Sequence, residues 1–169
     1  EYISLKFKST EWLDSLKEKT KLSQESILSL LSDLKNFMKL EFEQTFSFNN
    51  DNPLNFSIEF QLPFSSPMGI NFIENEVFEN FFLDINLNEK GYPDYPPKIQ
   101  YKGPMIDFYC LCIINNWPSI RENSWNCCRS LTDIFTKMYN CIINNAKLYI
   151  GEKSQVENAI TELTQYTNI

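Results

Sequence analysis

The hydrophobic period of this chain changes partway along it, and the order of the two periods limits the folds open to it. Over residues 11–39 the apolar positions Trp12, Leu13, Leu16, Ile27, Leu30, Leu31, Leu34 and Met38 recur at three- and four-residue steps. That is the repeat of amphipathic helix. Ser23 suits an N-cap, with Glu25 in the turn after it. The spacing therefore predicts two helices broken near residues 20–23, or one long kinked helix. From Leu40 the period drops to two. Leu40, Phe42, Phe46 and Phe48 alternate with polar residues except at Gln44; Phe56, Ile58, Phe60 and Leu62 alternate cleanly, as do Phe81, Leu83, Ile85 and Leu87. Such runs read as half-buried antiparallel strands. Asn49-Asn50-Asp51-Asn52-Pro53 reads as a turn, 63–69 as a loop, 88–97 as a Pro-rich turn, and 99–101 as a short fourth strand.

Beyond Tyr101 the chain reads as irregular until Ser130. There a helix begins, with Ser130 as N-cap, Asp133 three residues on, and the stripe Leu131, Ile134, Phe135, Met138 and Ile142. A last helix is expected from Ser154, with Glu157 completing a capping box and Val156, Ile160 and Leu163 on one face. Strands grouped together, with helices before and after, mean an α+β fold and not alternating βαβ. The expected architecture is an N-terminal helix or helix pair, a four-stranded antiparallel meander sheet, and C-terminal helices. At 169 residues the chain fits a single domain, with a helical segment over 1–39 packed on a core over 40–169.

Composition narrows the chemistry. The chain has 22 Asp and Glu against 15 Lys and Arg, a net charge of −7. That argues against a protein that neutralises phosphates, so no nucleic-acid partner is expected. No stretch approaches the roughly 18 apolar residues of a membrane-crossing helix, and residues 1–8 lack the basic-then-apolar order of a signal peptide. There is no His at all, which removes the commonest general base and the commonest metal ligand. The five cysteines, Cys110, Cys112, Cys127, Cys128 and Cys141, match neither a secreted disulfide framework nor zinc-ligand spacing. No cofactor or metal is expected. Reduced thiols point to the cytoplasm or nucleus.

The segment Tyr92-Pro93-Asp94-Tyr95-Pro96-Pro97-Lys98-Ile99 resembles the Pro-rich connection between the third and fourth strands of the ubiquitin-conjugating enzyme family. The preceding Phe81-Phe82-Leu83-Asp84-Ile85 is similar to that family's third strand. Cys110-Leu111-Cys112-Ile113-Ile114 resembles its Cys-Leu-x-Ile-Leu, in which the Cys forms the thioester, and Trp125 followed by Arg129-Ser130-Leu131 resembles its Trp, loop and helix start. The resemblance covers roughly residues 40–142. It implies a ubiquitin-conjugating-enzyme-like fold and a function of carrying ubiquitin or a ubiquitin-like modifier as a thioester on Cys110 for transfer to a lysine. The implied partners are the modifier, an activating enzyme and a ligase.

The segment Gly103-Pro104-Met105-Ile106-Asp107 reads like the family's His-Pro-Asn-Ile-Asp with His and Asn replaced, and Met105 cannot donate as an Asn amide does. The other reading is therefore a catalytically inactive variant of the fold that acts as a protein-binding scaffold. Asp107, Asn115 and Asn116 are candidate polar support for Cys110. Cys112 is the second candidate nucleophile, because in an extended segment it would share a side with Cys110. Lys17, Lys19 and Lys21 stand in the region where the family contacts activating enzymes and ligases. A solvated face is the plain alternative for them.

Overall fold

The structure, a computed structural model, describes residues 2–40, 43–49, 51–87, 91–126 and 129–149. The N-terminal pattern resolves as two helices, α1 (Tyr2–Lys19) and α2 (Gln24–Met38). Ser23 is extended, at φ −68 and ψ 157, and its hydroxyl accepts the Ser26 N–H, so it starts α2 as an N-cap. Four strands follow: β1 (Gln44–Phe48), β2 (Asn55–Phe60), β3 (Phe81–Asn86) and β4 (Lys98–Lys102). They pair antiparallel in the order β1-β2-β3-β4, the expected meander. One register row runs Phe46, Ile58, Leu83, Tyr101, and a neighbouring one Phe48, Phe56, Ile85, Ile99. These residues form the buried face, and the alternate row Ser47, Ser57, Asp84, Gln100 forms a polar outer face.

Helices close the buried face. On α5 (Leu131–Asn145) the residues Leu131, Ile134, Phe135, Met138 and Ile142 are all buried, as the stripe predicts. Phe37 of α2 sits edge-on to Phe135 of α5 at 5.3 Å, and to Phe46 and Phe60 of the sheet at 6.1 and 6.2 Å. Trp12 of α1 stacks on Phe48 at 4.3 Å, and its indole N–H donates to the Pro53 carbonyl at 2.7 Å. Gln44, the polar break in the β1 alternation, does occupy an inward position. Its amide donates to the Phe37 carbonyl at 2.8 Å, where the end of α2 leaves carbonyls without helical partners.

Two helices lie where the sequence reads as loop. α3 (Pro67–Glu74) begins inside the expected loop over 63–69, and α4 (Phe108–Asn115) with the 3-10 turn Pro118–Ile120 occupies the stretch expected to be irregular before Ser130. In α3, Pro67 is a helix starter, because the first helical residue needs no N–H partner. Ser66 caps it by accepting the Gly69 N–H at 3.0 Å. Gly69 is required by close approach, since a Cβ there would lie 2.1 Å from the Pro63 carbonyl oxygen. The helix expected from Ser154 lies outside the described residues.

The Asp33 carboxylate on α2 joins the two ends of the fold. It accepts from the Ser130 hydroxyl at 3.0 Å, the Leu131 N–H, and the Thr132 N–H and hydroxyl at 3.2 and 2.8 Å. It thus satisfies the exposed amides at the start of α5 with a charged acceptor. Asp33→Ala removes this second cap and is expected to cost about 2–3 kcal/mol, read as a lowered midpoint in urea unfolding; Asp33→Asn should retain part of it. Gly69→Ala, which drives a methyl into backbone, is expected to cost about 1–3 kcal/mol by the same measurement.

Candidate functional site

The candidate nucleophile sits on a helix, not in an extended segment. Asp107 is the N-cap of α4, and its carboxylate accepts the Cys110 N–H at 3.1 Å. The other oxygen of that carboxylate accepts the Lys147 N–H at 2.9 Å, and the Asp107 N–H donates to the Lys147 carbonyl at 2.8 Å. Asp107 therefore ties the start of α4 to the chain leaving α5. Two residues apart on a helix are about 200° apart, so Cys110 and Cys112 diverge. Cys110 turns into the core and is 3% exposed, while Cys112 is half-buried.

The electrostatics of Cys110 follow from this placement. Burial pushes its thiol up from the ordinary 9.0 to about 12, and the Asp107 charge and a hydrogen bond with the Cys141 thiol push the same way. A thiol in the first turn of a helix is ordinarily acidified by the positive end of the dipole. Here a carboxylate already occupies that end. The Tyr101 phenol, whose hydroxyl donates to the Pro104 carbonyl at 2.8 Å, is also raised, by burial first and by Cys110 second. Burial raises Cys112 as well.

The remaining sequence candidates are engaged elsewhere. The Asn115 side-chain oxygen, Oδ1, accepts the Tyr101 backbone N–H at 2.9 Å, which fastens α4 to β4. The Asn116 amide donates to the Cys112 carbonyl at 3.0 Å. Of the expected polar support, only Asp107 meets Cys110 in a hydrogen bond among the described residues. Lys17, Lys19 and Lys21 are exposed. Lys19 and Lys21 line a shallow cleft with Leu22 and Leu54, at the β1–β2 turn and so at the opposite end of the sheet from Cys110. Trp125 anchors the Pro-rich connection, its indole N–H donating to the Pro93 carbonyl at 2.6 Å. Cys127 and Cys128 lie outside the described residues. Cys141 and Tyr101 are the neighbours of Cys110 that sequence reasoning did not assign to it. The inward stripe of α5 and the alternation of β4 place both on buried faces, but neither pattern says which buried group they meet.

The segment compared with His-Pro-Asn is rebuilt. Gly103 has φ +142, and a Cβ there would stand 3.1 Å from the Phe81 Cα. That backbone favours glycine and strains any side chain placed there, histidine included. Met105 is partly exposed, and its carbonyl accepts the Tyr149 N–H at 3.0 Å, beside an antiparallel bridge between Ile106 and Leu148. Among the described residues no cluster of His, Cys, Asp and Glu could hold a metal, and no helix is long and apolar enough to cross a membrane.

No protein-family profile matches the sequence, and no curated protein matches it either. Solved structures do. A ubiquitin conjugating enzyme E2 from Plasmodium falciparum matches over 76% of this chain and 92% of its own, at 15% identity and a TM-score of 0.55. A Plasmodium vivax ubiquitin conjugating enzyme E2 matches over 69% of this chain and 98% of its own, at 14% identity and a TM-score of 0.48. The helix pair, the four-stranded meander and the helix that closes its buried face, together with the first of these matches, make the chain a divergent form of the ubiquitin-conjugating-enzyme fold.

Proposed function

We propose that this chain is a protein-binding module on the ubiquitin-conjugating-enzyme fold, in which Cys110 is a packing residue and not a thioester nucleophile. The observation that carries the reading is the burial of Cys110, at 3% exposure. Thioester exchange needs a thiolate that reaches a carbonyl carbon. With the thiol raised to about 12, far less of it is ionised at pH 7 than of a free cysteine, and little of the residue is open to a modifier. The rebuilt Gly103-Pro104-Met105 segment adds to this, because neither side chain donates a hydrogen bond to an oxyanion.

The second reading is the thioester carrier, favoured by the shared fold and by Cys110-Leu111 falling where the family resemblance puts its nucleophile. Cys112, the more accessible thiol, would serve it if Cys110 did not. A charging reaction separates the two. The full chain is incubated with activating enzyme, ATP and ubiquitin or each ubiquitin-like modifier, then run on a non-reducing gel. No thiol-sensitive band is expected. A band lost in Cys110→Ser, or in Cys112→Ser, overturns the binding-module reading.

Two further outcomes follow from the local physics. Alkylation of native Cys110 by iodoacetamide, followed by peptide mass spectrometry, should stay slow through pH 7–9, whereas the unfolded chain reacts freely. Asp107→Asn removes the charge and keeps one acceptor for the Cys110 N–H while giving up the bond from the Lys147 N–H, so it should speed native alkylation several-fold at fixed pH. The linkage has a defined sign. Because the folded thiol is raised from 9.0 to about 12, its contribution to stability is intact below about pH 9 and is lost as pH rises toward 12. Restoring the motif as Gly103→His with Met105→Asn should lower the unfolding midpoint, because a side chain at 103 is strained, and should leave the chain without a thioester, because Cys110 stays buried.

A further inference from the structure

The connection between β2 and β3, residues 61–80, leaves an apolar surface uncovered at the Cys110 end of the sheet. Phe64 is 51% exposed, Ile70 49%, Ile73 39% and Phe78 63%. Ile70 and Ile73 are three apart on α3 and share a face. The Phe64 backbone lies against Gly69, where a Cβ would meet the Phe64 Cα at 2.8 Å, on the Ile73 flank of the helix. At the other end, the Val77 N–H donates to the Phe72 carbonyl at 2.9 Å and the Glu76 N–H to the Ile73 carbonyl at 3.0 Å. This is a Schellman closure that folds the chain back, with Phe78 next in line. The helix is already held by Met68 and Phe72 on its buried side. Ile70 and Ile73 still leave about half and two fifths of their surface open, and four large apolar groups open to this degree on one short unit exceed the usual scatter of exposed residues.

Within the excursion itself the charge has one sign, with exposed Lys102 at the end of β4 lying near its last residues. No Lys or Arg occurs between Lys39 and Lys90, while Glu74, Glu76 and Glu79 are all exposed. Lys147 stands on the opposite flank, next to the Leu148 whose N–H donates to Asn71 at 2.8 Å. Carboxylates at the last turn of a helix oppose its dipole, so the fold is not served by this placement. A cationic partner would be.

We propose that the β2–β3 excursion is a docking surface for a basic amphipathic helix of a partner protein. The apolar face of that helix packs on Phe64, Ile70, Ile73 and Phe78, and its Lys or Arg residues meet Glu74, Glu76 and Glu79. Charge selects this occupant over the alternatives. A second copy of the chain carries −7, and the chain's own residues 150–169 bring Glu152, Glu157 and Glu162 against the single Lys153. The surface is separate from the Cys110 thiol, and the proposal holds whether or not that thiol is ever charged.

The probe is a synthetic amphipathic helix of Leu and Lys, about five turns long, titrated into the isotope-labelled chain and followed by amide and methyl NMR. Shifts are expected to concentrate in residues 61–80. Ile70→Ser with Ile73→Ser should weaken binding about tenfold or more. Glu74→Gln, Glu76→Gln and Glu79→Gln together should weaken it several-fold and flatten its salt dependence. A Leu and Glu peptide of the same pattern should not bind. Circular dichroism at the titration temperature should show each variant folded, with melting lowered modestly for the isoleucine pair, which buries part of its surface, and little changed for the Glu→Gln set. The proposal is overturned by shifts centred elsewhere, by no binding up to about 1 mM, or by equal binding of the acidic peptide. It is also overturned if sedimentation shows a dimer that Ile70→Ser with Ile73→Ser dissolves, since the occupant would then be a second copy.

Discussion

The start of α5 is capped from across the fold by Asp33. A helix begins with several backbone N–H groups that have no partner inside it, and Ser130 can satisfy only part of that need. Asp33 supplies the rest from α2, through the Leu131 and Thr132 amides and the Ser130 and Thr132 hydroxyls. The acceptor is ionised, so these bonds are stronger than neutral ones. Their geometry also sets the register of α5 against α2. With that register set, Phe37 and Phe135 meet edge to face at 5.3 Å over the aromatic row of the sheet. The surroundings of Cys110 inherit the same constraint, because Cys141 rides on α5 and faces it. A helix one turn out of place would bring a different residue to that thiol.

Asp107 repeats the device at α4 with an opposite chemical consequence. Its carboxylate holds the Cys110 amide on one oxygen and the Lys147 amide on the other. The first bond stabilises a helix start. The charge that makes it strong also disfavours a thiolate three residues on. Burial is the larger influence that holds the Cys110 thiol neutral, and the Asp107 charge adds to it in the same direction. The neighbouring backbone adds to this: at Gly103 the chain turns through a positive φ against Phe81, where a side chain would be strained.

The parts of the fold that sequence reveals are those where one face is buried and the other is wet. The three alternating runs and the stripe on α5 have that character, and their buried residues are the ones the periods name. The two missed helices lack it. α4 is Phe108-Tyr109-Cys110-Leu111-Cys112-Ile113-Ile114-Asn115, apolar almost all round over two turns, so no period shows, and an apolar run of that length reads equally as strand. α3 is masked by Pro67 and Gly69, which look like loop residues but serve as a helix starter and a close-approach glycine. The error at α4 carried into the site. It is what made Cys110 and Cys112 look like neighbours on one side, and it hid Asp107 as a cap. The destinations of Asn115 and Asn116 depended on the same helix, since an amide two or three residues further along a helix points wherever the turn carries it.

The two ends of the sheet differ in a way that net charge conceals. At the β1–β2 turn, exposed Lys19 and Lys21 border a shallow cleft. At the β2–β3 excursion the rim is acidic and the surface apolar. A chain with an overall charge of −7 repels a second copy of itself at long range, yet its ends differ: one mixes Lys19 and Lys21 with Glu18 and Asp51, and the other is acidic. Separation of this kind favours partners approaching from different directions, each steered by its own end within roughly a Debye length of about 8–10 Å. In a thioester carrier both ends would serve a reaction centred on an accessible cysteine. The apolar side chains that α3 and its flanks leave partly open, beside an acidic rim, are the feature that recognition by a partner best accounts for.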